Sequence, residues 1–284
     1  MAQAAAVSLL AIVPLPPSAP VALGGLRHRH QESPVILRLK ATRGQTSTYS
    51  FQQDIDLGMP VELGGSRTVH SRLVVRQSVE GIGLDTIRYL AEVKEISVEM
   101  EANPVGGLDF SQFEGQRFRL ALTPRGQVLD LEPEGTEDAG AEQLRQSMRQ
   151  MGFPVLPARP VQVGDSWVDT TRVDAAAMAL PADGEIVSVN RTTLKKLSRA
   201  GDDSVAELLM ETEFRFTPRD TSVPGMQVEM EGTRADNVRF DVTNGRFLGA
   251  RGTQEFVMNM TIPGAPGSLS IQGTAKSTAR LLRS

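Results

Sequence analysis

Residues 208–216 read Leu208-Leu209-Met210-Glu211-Thr212-Glu213-Phe214-Arg215-Phe216. Leu208, Met210, Thr212, Phe214 and Phe216 fall on one side of an extended chain, with Glu211, Glu213 and Arg215 on the other. A period of two is the pattern of a strand with one buried and one wet face, and a helix would scatter these residues around its axis. The same alternation recurs at Val35, Leu37 and Leu39, at Tyr49 and Phe51, at Phe118, Leu120 and Leu122, and at Phe256, Met258, Met260 and Ile262. Repeated short-range strands separated by turns predict a mainly β protein built as an antiparallel meander.

One strand changes phase. Ile87, Tyr89, Ala91 and Val93 share a face, and the apolar series then continues at Ile96, Val98 and Met100. One extra residue near Lys94 and Glu95 restores the phase, which is the mark of a β-bulge that curls a sheet toward a half-barrel or barrel. Turns are marked by Thr123-Pro124-Arg125-Gly126 and by Thr243-Asn244-Gly245. The Asn-Gly pair predicts a two-residue type I′ hairpin.

These turns expose an internal repeat. Glu114-Gly115, an alternating strand and the first turn match Glu231-Gly232, Val238 to Val242 and the second turn. Two similar antiparallel halves are therefore expected, over residues 35–135 and 154–284. Between them, over residues 136–153, Ala141, Leu144, Met148 and Met151 are spaced for one face of a short amphipathic helix, ended by Gly152 and Pro154.

The chain has 284 residues, no cysteine and a formal charge of -4. Disulfides, thiolate catalysis and cysteine metal clusters are excluded, and no basic face of the kind that binds nucleic acid is evident. Ala4 to Val13 is an uncharged apolar run of signal-peptide length, although no Lys or Arg precedes it. Residues 1–25 are read as a signal peptide and 26–34 as a flexible arm. The expected location is periplasmic or extracellular, with no membrane-spanning segment in the mature chain.

The residues that could carry chemistry are few. His28 and His30 flank Arg29 without a third ligand nearby, and His70 is expected at the surface; no metal site or cofactor is expected. No Ser lies in a nucleophile elbow, and Gly81-Ile82-Gly83 reads as a turn. Asp54 with Asp56, Asp202 with Asp203 and Glu229 with Glu231 read as solvated charge. No catalytic motif is present, and a non-enzymatic role is expected.

Pro157 to Trp167 (PARPVQVGDSW) resembles a recurrent element of exported bacterial β proteins, a duplicated domain of unknown function, in which a proline-rich link precedes Gly-Asp-Ser/Thr-Trp. The nearest functional analogy is with LolA-like and LppX-like lipoprotein and lipid carriers, curved sheets with a helix over an apolar concave face. That resemblance implies a protein binding an apolar ligand or lipid within a curved sheet. The ligand-facing residues expected are Leu144, Met148 and Met151 of the helix with Trp167, Met210 and Phe214, since Met adapts to varied apolar partners. The alternative is a structural or assembly subunit docking on a cell-envelope protein complex through a sheet edge or face.

Overall fold

The computed structural model describes residues 33–58, 65–101, 110–135, 145, 153–174, 184–200, 203–218, 227–261 and 268–283. Among the described residues there are eleven strands: β1 (Thr46–Gly58), β2 (Arg67–Ile82), β3 (Ile87–Met100), β4 (Arg117–Leu122), β5 (Val128–Pro133), β6 (Ser166–Asp174), β7 (Gly184–Ala200), β8 (Asp203–Pro218), β9 (Gln227–Asp241), β10 (Arg246–Thr261) and β11 (Ser268–Arg283). They form one antiparallel sheet in the order β5-β4-β3-β2-β1-β11-β10-β9-β8-β7-β6. Each strand pairs with its sequence neighbours except β5 with β6, and β1 also pairs with β11. Among the described residues, β5 and β6 are thus the two edges of the sheet. The curved sheet is not a closed barrel.

The phase change in β3 is a bulge at the expected place. Val74 faces Glu95 and Val75 faces Val93, which leaves Lys94 unopposed. Lys195 and Leu248 are extra residues of the same kind in β7 and β10. Each skips one residue so that the apolar series stays inward, and each adds local twist.

Glycines let aromatic rings lie flat on the inner face. Phe214 faces Gly232, and Phe256 faces Gly273. A Cβ on Gly232 would stand 2.4 Å from the Phe214 ring, and one on Gly273 would stand 2.3 Å from the Phe256 ring. Glu231-Gly232 therefore sits within β9 because a ring needs the space, whereas Gly115 of Glu114-Gly115 is in a turn with φ +80°. The two Glu-Gly pairs are not structurally equivalent. The two Thr-to-Gly turns each join adjacent strands (β4 to β5, β9 to β10) and contain a positive-φ glycine, Gly126 or Gly245, but five residues separate the paired Leu122 and Val128 and four the paired Asp241 and Arg246.

Three sequence expectations need correction or fall outside the described residues. Val35, Leu37 and Leu39 do not form a strand; this segment makes one bridge, Val35 with Val161. Its alternation reflects burial of Leu37 against the linker, not a ladder. The Asn244-Gly245 hairpin is not a two-residue turn, because Asp241 pairs with Arg246 and four residues intervene. The Asp241 carboxylate accepts the Asn244 amide at 2.9 Å and its Nδ2 at 2.8 Å, which holds the longer loop. The expected helix with Ala141, Leu144, Met148 and Met151 lies outside the described residues, as do residues 1–32.

The inner face carries two apolar clusters. One gathers Ile55, Leu73, Val93, Phe118, Leu131, Phe214 and Phe256 from both halves. The other packs Leu37, Leu156 and Val161 of the arm and linker on Leu194, Leu208, Val238 and Phe240. A belt of inward polar groups also crosses the sheet: Thr192, Thr212, Asp236, Gln254, Gln53 and Ser71 are all buried. Thr212 donates to Asn190 Oδ1 at 2.8 Å, and Arg234 pairs with Asp236. Buried polar groups need such partners to offset lost hydration.

Candidate functional site

Antiparallel strands all alternate in direction, so the end of the sheet where β1 begins also carries the β4–β5 and β9–β10 turns. The arm before β1 lies across both of them. The Leu39 amide donates to Pro124 O at 2.7 Å in the first turn, and the next amide, Lys40, donates to Gly245 O at 2.9 Å in the second. The Lys40 ammonium donates to the carbonyls of Thr243 at 2.8 Å and Val242 at 3.2 Å. Arg38 donates to Pro157 O and to Ala158 O, and Arg125 Nε to Leu156 O at 2.7 Å, which fixes the linker beside the arm.

Behind this closure lies a partly enclosed cavity of about 130 Å³. Tyr49, Phe51, Leu73, Val75, Tyr89 and Leu120 from four adjacent strands line it, with Phe153 of the linker and Phe247 of β10 at its wall. Phe153 stacks on Phe247 with centroids 4.1 Å apart, and its ring is 5.8 Å from that of Tyr49. An apolar cavity of about this size stays dry and takes a benzene-sized group.

The two tyrosines are the polar points in the apolar part. The Tyr49 hydroxyl donates to Phe247 O at 3.2 Å. Burial raises its pKa to about 12, the neighbouring Tyr89 adds to the rise, and the Arg246 cation opposes it. Burial raises Tyr89 to about 12 as well. Both therefore stay neutral at physiological pH and present O–H groups, not phenolates.

The rim is polar. Gln45, Ser47 and Gln77 stand there with Lys40 and Arg246. Arg246 Nε donates to Asp241 Oδ2 at 3.3 Å. Burial works against ionisation of Asp241, but the Asn244 hydrogen bonds and the Arg246 charge outweigh it and hold its pKa below the ordinary value.

The residues expected from sequence to face a ligand are placed as follows. Met210 and Phe214 are buried on the inner face of β8, Phe214 within the first apolar cluster. Trp167 packs on the second cluster, and its Nε1 donates to Val155 O at 2.7 Å. None of these three lines the cavity. Leu144, Met148 and Met151 lie outside the described residues. Tyr49, Phe51 and Leu120 were legible as inward strand positions, but nothing in the sequence joined them to Phe153 or to the arm.

A depression of about 980 Å³ is lined by Phe214, Gly232 and Phe256 as well as by Glu213, Glu231, Glu255 and Asp56 of the opposite face of the sheet. It is open and its carboxylates are solvated, so it offers an apolar ligand no enclosure. His70 is not alone on that face: its Nδ1 lies 2.8 Å from Asp54 and its Nε2 3.5 Å from Glu101. Among the described residues, no group of three or more His, Asp or Glu side chains is arranged to hold a metal. No helix among them is long and apolar enough to cross a membrane.

No family model and no curated protein matches the chain. Among solved structures, the chain is similar to one titled "Lipid-protein interactions in lipovitellin", with 8% identity and a TM-score of 0.48 over 85% of this chain and 25% of that one. It is also similar to the beta domain of the Bordetella autotransporter Brka, with 10% identity and a TM-score of 0.24 over 84% of this chain and 99% of that one. The chain thus spans about a quarter of the lipovitellin chain it matches.

Proposed function

We propose that this chain is a non-catalytic, exported binding protein that holds an apolar group in the cavity between β1–β5 and the arm. The observation that supports the reading is the cavity itself: rings and aliphatic side chains from four strands converge on a space that the described residues of the arm and linker do not fill. Close packing is the norm in protein interiors, and an unfilled apolar space costs dispersion contacts that a ligand would restore. Two neutral tyrosine hydroxyls give such a ligand a point of orientation. Export rests on the Ala4–Val13 run. Cell fractionation with mass measurement of the purified chain tests it, and a cytoplasmic chain of full length would refute it.

Titration with N-phenyl-1-naphthylamine, whose emission rises in apolar surroundings, tests the binding. Saturable enhancement at one site is expected for the native chain and its loss for Leu120→Trp, which places an indole in the cavity. Equal enhancement by a Leu120→Trp protein with unchanged circular dichroism would place the dye elsewhere and refute the reading.

A further inference from the structure

The charge around the cavity narrows the class of ligand. The charged side chains among its described lining residues are Lys40 and Arg246, both cationic, and no carboxylate is among them. The chain as a whole carries a net charge of -4, so a lining with cations alone runs against its composition. Asp241, which pairs with Arg246, is already answered by two hydrogen bonds from Asn244 and one from Arg246. Two of the three Lys40 ammonium protons are directed at the Val242 and Thr243 carbonyls, which position the charge without neutralising it. The Arg246 bond to Asp241 uses Nε, and the two terminal NH₂ groups keep the fork that suits a carboxylate or phosphate. The Lys40 amide bond to Gly245, the residue preceding Arg246, brings the backbones that carry the two cations together. Rim cations, polar Gln45, Ser47 and Gln77, then an apolar interior make a one-way gradient of polarity.

We propose that the ligand is a single-chain amphiphile with an anionic head, its head at Lys40 and Arg246 and its alkyl end between Phe51, Leu73 and Tyr89. This rests on the apolar-ligand reading above and adds the sign of the head. The enclosed space takes about six carbons by comparison with a benzene-sized cavity, so an octyl chain spans it and reaches the rim.

Displacement of N-phenyl-1-naphthylamine by octanoate, octanol and octylammonium at pH 8 tests the sign directly. Octanoate is expected to bind about tenfold more tightly than octylammonium, with octanol between, since attraction of one head is set against repulsion of the other. The preference is expected to shrink as salt rises. Lys40→Gln combined with Arg246→Gln should erase it, and Lys40→Arg should keep it. Octylammonium binding as well as octanoate, or the order surviving loss of both cations in a protein that still takes up the dye, overturns the anionic head and leaves the apolar cavity standing. No displacement by any of the three, with no dye uptake, refutes the cavity reading as well.

Discussion

The amide of Lys40 donates to the carbonyl of Gly245 at 2.9 Å. The preceding amide, Leu39, donates to Pro124, so two consecutive residues of the arm tie together the β4–β5 and β9–β10 turns. The edges of the sheet are β5 and β6, and this tie spans from the β4–β5 turn to the β9–β10 turn at the end where the cavity lies.

Gly245 is therefore expected to tolerate no side chain. It has φ +63°, and a Cβ there would stand 2.5 Å from the Lys40 nitrogen. Gly245→Ala should cost about 2 kcal/mol from backbone strain and displacement of the arm. Urea unfolding should show a lower midpoint at unchanged slope, and dye uptake should weaken. An unchanged midpoint would mean that the arm is not held as described.

The aromatic rings lying on glycines give a test by double-mutant cycle. Gly232→Ala should destabilise by about 1–3 kcal/mol, because its methyl enters the space of the Phe214 ring. In a Phe214→Leu background the same change should cost less, and the coupling should exceed about 0.5 kcal/mol. Additive effects would count against the flat ring-on-glycine packing.

Asp236 is 1% exposed and paired with Arg234, which is 25% exposed at its side chain. Asp236 Oδ1 has no hydrogen-bond partner among the described residues, so the carboxylate depends on Arg234 for compensation. Arg234→Met should cost about 3 kcal/mol by leaving the acid uncompensated, and Arg234→Met with Asp236→Leu should recover much of it. If the single and double variants unfold at the same urea concentration, the belt does not depend on the pair.

Protonation of His70 contributes stability at acidic pH. The hydrogen bond to Asp54, aided by Glu101, raises its pKa above the usual 6.5 in the folded chain. The contribution is fully present below the unfolded value near 6.5 and is lost as pH rises through the raised folded value. The pair is exposed and the effect small. Comparing the unfolding midpoint of the native chain with that of His70→Gln across pH 5 to 9 should show the difference closing toward alkaline pH; a difference that widens there would contradict the assignment.

How much of this was legible depended on whether the cause was local. The Lys94 bulge follows from a slip in apolar phase within one strand, and the inward face of β8 follows from Leu208 to Phe216. The turns at Gly126 and Gly245 follow from the positive φ that glycine supplies. Local cues misled at Val35 to Leu39, where alternation comes from burial against Leu156 and Val161 and the amides go to turns rather than to a neighbouring strand. They also misled at Glu114-Gly115 and Glu231-Gly232, which are alike in sequence but serve a turn and a ring. The cavity was not legible, because Phe51, Tyr89, Leu120 and Phe153 meet only once the sheet has curled and the linker has returned. Met210, Phe214 and Trp167 were read correctly as strand residues, yet an inward position does not distinguish packed core from a lining.

The central claim is that an alkyl chain enters the cavity behind Lys40 and Gly245, and a crystal grown with an ω-bromoalkyl carboxylate tests it most directly through the anomalous scattering of bromine. A bromine peak among Phe51, Leu73, Tyr89 and Phe153 is the expected result. A cavity without bromine, at a ligand concentration that saturates dye displacement, would contradict it.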